Sequence, residues 1–406
     1  MTNQECIAGL GGWEGYELTQ WKEELRNGAR CCVLRLEPMK GAPRRCSGCA
    51  RRVDAVHDRK ERRVRDLPIF DVPVELIVPR LRLLCPGCGP KLEVLKWLEP
   101  YARMTARMAQ SVAWLCQKLS IEQVAQFYGL AWSTVRLIDQ RYLERKLGPV
   151  DLAGVSVIGM DEFAIQKGHR YATVVVEPSR KRVLWVGLGH GREDVRRFFE
   201  LLGPQGCQRI EAVVMDMSGA YAQEVRAQCP QAKIVYDLYH VVAKYSREVI
   251  DRVRSQEAQR LRAEQAPNRL VRGDRWLLLR NARNLNTTQQ IRLQELLAAN
   301  RALMKVYILR DDLKALWTYR HVGYAQQFWR QWYRRAVASR VAPLQLFARR
   351  LKPYLAGILS HCRFPLHTSF IEGINNKIKL IKRMAYGYRN FDYFFLKIRA
   401  AFPANR

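Results

Sequence analysis

The stretch VSVIGMDEFAIQKGHRYATVVVEPSRKRVLWVGLG, residues 155–189, decides the fold. Val155–Asp161 reads as a buried strand ending in an acid. Arg170–Glu177 and Arg182–Gly189 read as two more strands, joined by the tight connection Pro178-Ser-Arg-Lys181. Short β-branched runs with brief connections predict an antiparallel meander. A helix over Arg192–Leu202 follows, then the strand Glu211-AVVM-Asp216. A helix from about Ala220 to Gln228 leads to the strand Lys233-IVY-Asp237.

Three antiparallel strands followed by strand-helix-strand crossovers is the order of a ribonuclease H-like α/β sheet, in which the first and fourth strands are neighbours. Asp161 and Asp216 are then expected to meet at the strands' C-terminal ends. Two close carboxylates repel and desolvate badly unless a cation joins them, and hard oxygen ligands favour Mg²⁺ or Mn²⁺. Glu162 points to the opposite face and is not counted as a ligand. An acid at a strand end also serves as a helix cap, so neither aspartate carries the argument alone.

A third acid comes from the basic segment that starts at Arg340, which holds 13 Lys+Arg with Arg340 included and only two acids, Glu372 and Asp392. In His367-TSFIEGINNKIKLIKRMAYGYRN, Ile371, Ile374, Ile378 and Ile381 make one apolar helix face. Glu372, Asn376, Lys379 and Arg383 make a second stripe. This suits a helix laid across an active site, the acid on metal and Lys379 and Arg383 on DNA phosphates. The alternative is a local role, Glu372 completing a capping box with Ser369.

Upstream, Cys46-Ser-Gly-Cys49 and Cys85-Pro-Gly-Cys88 form two CxxC knuckles 35 residues apart. Four thiolates in this pattern predict a tetrahedral structural Zn²⁺ site, with a hairpin over Val64–Leu84 filling the gap. Arg44, Arg45, Arg51 and Arg52 flank the first knuckle and suit phosphate contact. Cys6, Cys31, Cys32, Cys116, Cys207, Cys229 and Cys362 lack ligand spacing and are read as buried or incidental, and His57 as a loop histidine.

Between ribbon and sheet, Ser120–Arg141 has helix-turn-helix spacing. Ser120 and Gln123 form a capping box, Gly129 makes the turn, Ala125 sits at the helix crossing, and Val135 packs the second helix back. That helix is expected to begin near Ser133, which caps it. It would show Ser133, Thr134, Arg136 and Gln140 to a major groove, with Arg141 on a phosphate.

The bulk composition agrees. With 69 Lys+Arg against 38 Asp+Glu the formal charge is +31, spread over every segment, which points to nucleic acid rather than a membrane surface. No signal peptide or membrane span is evident, so a cytoplasmic chain with reduced cysteines is expected. The domains expected are 1–100 (N-terminal region with zinc ribbon), 101–150 (all-α helix-turn-helix) and 151–406 (catalytic). Helix breaks are expected near Ala266-Pro267 and Arg272-Gly273.

Taken together, CSGC with CPGC, GMDEFAIQKGHRYATVVVEP, VVMDMSGAYAQEV, IVYDLYHVV and TSFIEGINNKIKLIKRMAYGYRNFDYFFLKI resemble the ISL-three (ISL3) family of bacterial insertion-sequence transposases. The resemblance runs from about residue 46 to 400. It implies a zinc ribbon, a helix-turn-helix and a ribonuclease H-like DDE domain with Asp161, Asp216 and Glu372 as catalytic acids. A helical insertion is implied over about 250–340. Asp237-Leu-Tyr-His240 resembles the [C/D]xxH signature that follows the second aspartate in related transposases. It gives His240 a role in steadying a carboxylate or touching the scissile phosphate, beside the plainer reading of a satisfied core histidine. Asp237 also ends a strand and stays open as the second acid. The activity implied is metal-dependent cleavage and strand transfer at terminal inverted repeats, by at least a dimer on DNA. The rivals are a DNA-binding regulator with an inactive catalytic domain and a metal nuclease that cuts without joining.

Overall fold

The computed structural model describes residues 11–26, 28–166, 168, 170–264, 275–365 and 369–403. Cys6 and the breaks expected at Ala266-Pro267 and Arg272-Gly273 lie outside them. The chain forms two compact units that meet at Lys146 and Leu147.

In the first unit, β1 (Tyr16–Arg26) and β2 (Ala29–Pro38) make one antiparallel hairpin, β3 (Val56–Ile69) and β4 (Val72–Cys85) a second. The strand order is β1-β2-β4-β3, with β2 parallel to β4 and the short β5 (Gly89–Leu92) added to β4. The hairpin expected between the cysteine pairs is present but starts at Val56, so His57 lies on a strand and not in a loop. It bonds the Asp58 carboxylate over 2.9 Å. The segment before residue 46, left unassigned by sequence, supplies two strands and the buried Trp13, Tyr16, Leu34 and Leu36 to the sheet's core. Asp66, on β3, is buried and accepts from Trp13 Nε1 (3.1 Å), Thr105 Oγ1 (2.6 Å) and Arg107 Nε (2.7 Å). It thereby ties the sheet to the helices that follow.

Those helices are α1 (Ala106–Leu115), α2 (Ile121–Tyr128) and α3 (Trp132–Leu147). The Ser120–Gln123 capping box is formed, Gly129 ends α2 in the left-handed region at φ 57°, and Ala125 and Val135 are buried where the helices cross. One detail differs. The second helix starts at Trp132, so Ser133 lies inside its first turn and does not cap it, and the Thr134 amide bonds the Ala131 carbonyl.

The second unit is built on a five-stranded sheet. Here β6 (Val157–Gln166), β7 (Arg170–Glu177) and β8 (Arg182–Leu188) form the antiparallel meander. β9 (Ala212–Met215) lies parallel on the other side of β6, and β10 (Lys233–Tyr236) parallel beyond it. Between the strands run α4 (Arg192–Arg209), which kinks where Gly203 (φ 70°) precedes Pro204, and α5 (Gly219–Gln228). After β10 the chain is helical: α6 (Leu238–Tyr245), α7 (Asp251–Ala263), α8 (Arg275–Leu279), α9 (Thr287–Ala299), α10 (Arg301–Ala315), α11 (Val322–Ala338), α12 (Ala342–Leu351) and α13 (Leu355–Leu359). These helices do not form a separate lobe. Leu303, Leu313, Trp332 and Phe347 share one continuous core with Ile158, Met160, Val213 and Met215 on one sheet face. The opposite face, with Phe163, Val174, Val176 and Val214, is covered by α14 (Ser369–Met384) and α15 (Phe391–Ala401), through Ile371, Ile374, Ile378, Phe394 and Ile398. Among the described residues, no helix is long and apolar enough to cross a membrane.

Candidate active site

Strand register brings the two aspartates together. In the parallel pair of β6 and β9, Gly159 lies opposite Val214 and Met160 opposite Met215, so Asp161 and Asp216 are the next residues on neighbouring strands. Both continue the face that α14 covers. Asp161 alternates with Gly159 and Phe163, and Asp216 follows Ala212 and Val214. Asp237 follows Val235 on the same face, one strand further out.

The expectation that the first strand ends at Asp161 was too short. β6 runs on to Gln166, because β7 continues to pair it after β9 stops, with Phe163 opposite Ala172 and both buried. Asp161 therefore sits inside a strand, buried, at the point where one of its two neighbours ends. Glu162 points away, as expected, and meets His190 Nδ1 at 3.1 Å.

The electrostatics follow from this packing. Burial pushes the Asp161 carboxyl up to about 6; the charges of Asp216 and Asp237 add to the rise, while His240 and the Glu162 amide oppose it. Burial raises Asp216 as well, again opposed by His240. His240 is raised first by its hydrogen bond to Asp237 and then by the charges of the three aspartates, against the effect of its burial. A group of partly buried acids with one nearby imidazole is short of positive charge, which is what a divalent cation supplies.

Asp216 and Asp237 differ in what already occupies them. Asp237 caps α6, accepting from the Tyr239 amide (2.8 Å) with one oxygen and facing His240 Nδ1 (3.0 Å) with the other. Asp216 accepts only from the Ser218 amide, at 3.1 Å, among the bonds described. His240 thus steadies Asp237, the local arrangement that the DxxH spacing puts one helical turn apart.

α14 lies along β6. Ile371 packs on Gly159, where an added Cβ would come within 2.7 Å of Ile371 Cδ1, and Lys382 Nζ donates to the Ala164 carbonyl over 2.8 Å. Eleven helical residues at ~1.5 Å and five strand residues at ~3.3 Å each span about 16 Å, so the two elements stay in step. Between these contacts Asn375 Nδ2 donates to Asp161 Oδ2 over 2.6 Å, while Asn375 Oδ1 is buried without a partner among the described residues. Sequence reading placed Asn376 on the functional stripe and passed over Asn375. The signal was available, since residue 375 is four after Ile371 and three before Ile378 and so borders the buried isoleucine face.

Glu372, Asn376, Lys379 and Arg383 are all exposed. Glu372 stands one turn before Asn375 and makes no hydrogen bond or ion pair with another described residue. The Ser369 side chain and His367-Thr368, on which the capping alternative rests, lie outside the described residues. Asp161, Asp216 and Glu372 are not drawn together as tightly as a closed metal site: among the described residues, only the cysteine cluster has three or more ligand atoms within 4.8 Å of one another.

That cluster is Cys46, Cys49, Cys85 and Cys88. Cys49 Sγ and Cys85 Sγ are 3.6 Å apart, close to the ~3.8 Å sulfur–sulfur edge of a tetrahedron with ~2.3 Å Zn–S bonds. The Gly48 amide donates to Cys46 Sγ (3.3 Å), and a Cβ on Gly48 would press on Cys88 Sγ at 3.1 Å, so this knuckle suits glycine. The Gly87 amide pulls the Cys85 thiol down to about 7, favouring the thiolate. The donor set fits zinc. Of the other cysteines, Cys116, Cys207, Cys229 and Cys362 are buried and Cys31 and Cys32 half-buried.

On α3, Ser133 and Arg141 are exposed, while Thr134, Arg136 and Gln140 are half-buried. Arg136 bonds Gln140 (3.0 Å) and Gln140 bonds Glu144 (2.9 Å), so these side chains are braced along the helix.

Comparison with known proteins agrees with this layout. A transposase family model matches residues 158–398, the helix-turn-helix domain of transposase family ISL3 matches 93–143, and the zinc-finger of the IS204/IS1001/IS1096/IS1165 transposases matches 42–88. The chain is 51% identical to the transposase for insertion sequence element IS1001 of Bordetella parapertussis, over 100% of both chains. It is 28% identical to the transposase for IS1557 of Mycobacterium tuberculosis, over 91% of this chain and 88% of that one.

Proposed function

Because this chain belongs to the ISL3 family of DDE transposases, we propose that it cleaves and joins DNA with Asp161, Asp216 and Glu372 as the three acids. The observation that carries the assignment is the register Met160–Met215, which sets Asp161 beside Asp216 on the face that α14 covers. The sheet order β8-β7-β6-β9-β10, three antiparallel strands with two parallel ones beyond the first, supports the ribonuclease H-like reading. Asp216 is preferred over Asp237 because β9 pairs directly with β6 and sets it beside Asp161, whereas Asp237 lies one strand further out.

In this reading Asp161 and Asp216 would hold Mg²⁺ or Mn²⁺. Such ions activate the attacking oxygen and stabilise the leaving one. Asn375 fixes one oxygen of Asp161 and the Glu162 amide, at 2.8 Å, fixes the other, so the carboxylate is oriented beforehand. Glu372, one turn before Asn375 on α14, would be the third ligand. His240, held by Asp237, offsets part of the negative charge beside the aspartates, and Lys379 and Arg383 meet the DNA phosphates. Water hydrolyses a phosphodiester at the transposon end to leave a 3′-hydroxyl and a 5′-phosphate, and that 3′-hydroxyl attacks a target phosphodiester and displaces the target's own 3′-hydroxyl. α3 reads the terminal inverted repeats through Ser133, Thr134, Arg136 and Gln140, with Arg141 on a phosphate. Holding two ends together calls for at least a dimer, working in the bacterial cytoplasm on the nucleoid.

The test is a labelled duplex carrying the element's own end, incubated with Mg²⁺ or Mn²⁺ and with chelator. Metal-dependent nicking followed by joined product supports the reading. Specific binding without cutting in either metal would favour the regulator, and cutting without joining the nuclease.

A further inference from the structure

The two faces of β3 are charged differently. On one, Arg59 pairs with Glu37 (3.4 Å), Glu61 with Arg35, and Arg63 with Glu75 (2.7 Å), so that face neutralises itself. On the other, Asp58, Lys60 and Arg62 stand opposite Arg82, Arg80 and Val78 of β4. Among the described residues of this face, Arg82 forms an ion pair with Asp58 at 3.0 Å, while Lys60 and Arg62 form none. Lys60 directly faces Arg80, and like charges opposed across an antiparallel pair destabilise it. Arg80 is buried, donating to the carbonyls of Glu93 (3.1 Å) and Leu98 (3.4 Å); burial lowers its pKa, the charges of Glu93 and Tyr16 oppose this, and the charge of Arg62 adds a smaller lowering. Arg62 lies 5.9 Å from the ring centre of Tyr101, an exposed residue in the left-handed region at φ 60°. No described acid pairs with Lys60, Arg62 or Lys91. These residues line a groove of ≈ 790 Å³ together with Arg63, Arg82 and two acids, Asp58 and Glu61, so that cations outnumber acids in its walls.

We infer that this groove is a DNA-contact surface separate from the recognition helix, one that takes duplex phosphates without regard to base sequence. The surplus positive charge matches a polyanion, and the groove is tied to the DNA-reading module. Arg65, three residues along the same strand, donates to the carbonyls of Gly129 (2.8 Å) and Tyr128 (2.7 Å) at the turn between α2 and α3. Phosphate contacts here would set the register in which α3 meets its bases. The inference rests on the proposed reading of the chain as a DNA-acting enzyme.

The test is a salt titration of full-length Lys60→Ala/Arg62→Ala on two duplexes of equal length, one carrying the element's own end and one unrelated. Both affinities should fall by the same factor. The slope of log K against log salt should become shallower by about 1.8, that is, ~0.9 for each of two phosphates. Raising salt from 50 to 200 mM should then cost roughly 12-fold less affinity than in wild type. Unchanged slope and affinities, in a variant with wild-type zinc content and melting, overturn the inference; so does a loss confined to the element's own end. Lys60→Gln/Arg62→Gln replaces the alanine pair should that variant misfold. Failure of wild type to cut DNA while the slope still shifts would remove the catalytic reading and leave the groove standing.

Discussion

Asn375, in the C-terminal helix, donates a 2.6 Å hydrogen bond to Asp161 across 214 residues of sequence. The bond couples the strand that carries one acid to the helix that carries Glu372. Removing it leaves Asp161 oriented only by the Glu162 amide, and α14 held to β6 by its apolar contacts and the Lys382–Ala164 bond. Asn375→Ala should lower cleavage and apparent Mn²⁺ affinity by about 10–100-fold, the range for a residue supporting a metal ligand. DNA binding should stay near wild type. Metal titration of cleavage, with binding measured in parallel, checks this.

The close approach of α14 to β6 depends on Gly159. A methyl group there would lie 2.7 Å from Ile371 Cδ1 and 3.0 Å from Val176 Cγ2. Gly159→Ala should destabilise the second unit by about 1–3 kcal/mol through overpacking and reduce cleavage as the helix shifts. Ile371→Val deletes the clashing Cδ1 and should restore part of both losses. Denaturant unfolding and cleavage assays on the single and double variants give the answer.

Much of this was legible in the sequence because it rests on local periodicity. β-branched runs marked every strand of the second sheet, the CxxC pairs marked the cysteine cluster, and Ser120 with Gly129 marked the ends of α2. What escaped depended on tertiary partners. β6 outruns Asp161 because β7 still pairs it, and α3 starts at Trp132 although Ser133 looks like a cap. The strands before residue 46 carry no motif; β2 is fixed by pairing with β4, and β1 by pairing with β2. Asn375 was missed because its spacing beside the isoleucine stripe turns it toward the sheet but does not name Asp161 as its partner.

The cysteine cluster should hold about one zinc per chain. Cys85→Ser or a strong chelator should remove it, release the β4–β5 end of the first sheet and weaken DNA binding while α4 to α15 stay folded. Metal analysis beside circular dichroism and a binding assay tests this. Full zinc retention in the Cys85 variant would contradict the four-thiolate site.

Glu224 gives a pH dependence of known sign. Burial pushes its carboxyl up, but hydrogen bonds from Arg196, Arg192 and Gln228 outweigh that and hold it at about 2, against an ordinary 4.5. A depressed carboxyl stabilises the fold above its unfolded pKa and loses that contribution as pH falls through its folded one. The arginines are 33% and 46% exposed, so screening reduces the contribution to about 1–2 kcal/mol. Glu224→Gln should therefore cost a constant amount of stability from pH 8 to 5, and the difference should shrink below about pH 4.5. Urea unfolding of both proteins across that range measures it.

The most direct test of the three-acid site compares Asp161→Asn, Asp216→Asn, Glu372→Gln and Asp237→Asn on one end-bearing duplex with Mn²⁺. The first three should bind normally and lose both nicking and joining by roughly 10³-fold, as expected when charge stabilisation at the reacting phosphate is removed, and Asp237→Asn should keep measurable activity. Full activity in Asp216→Asn with a dead Asp237→Asn, or an active Glu372→Gln, would contradict the assignment.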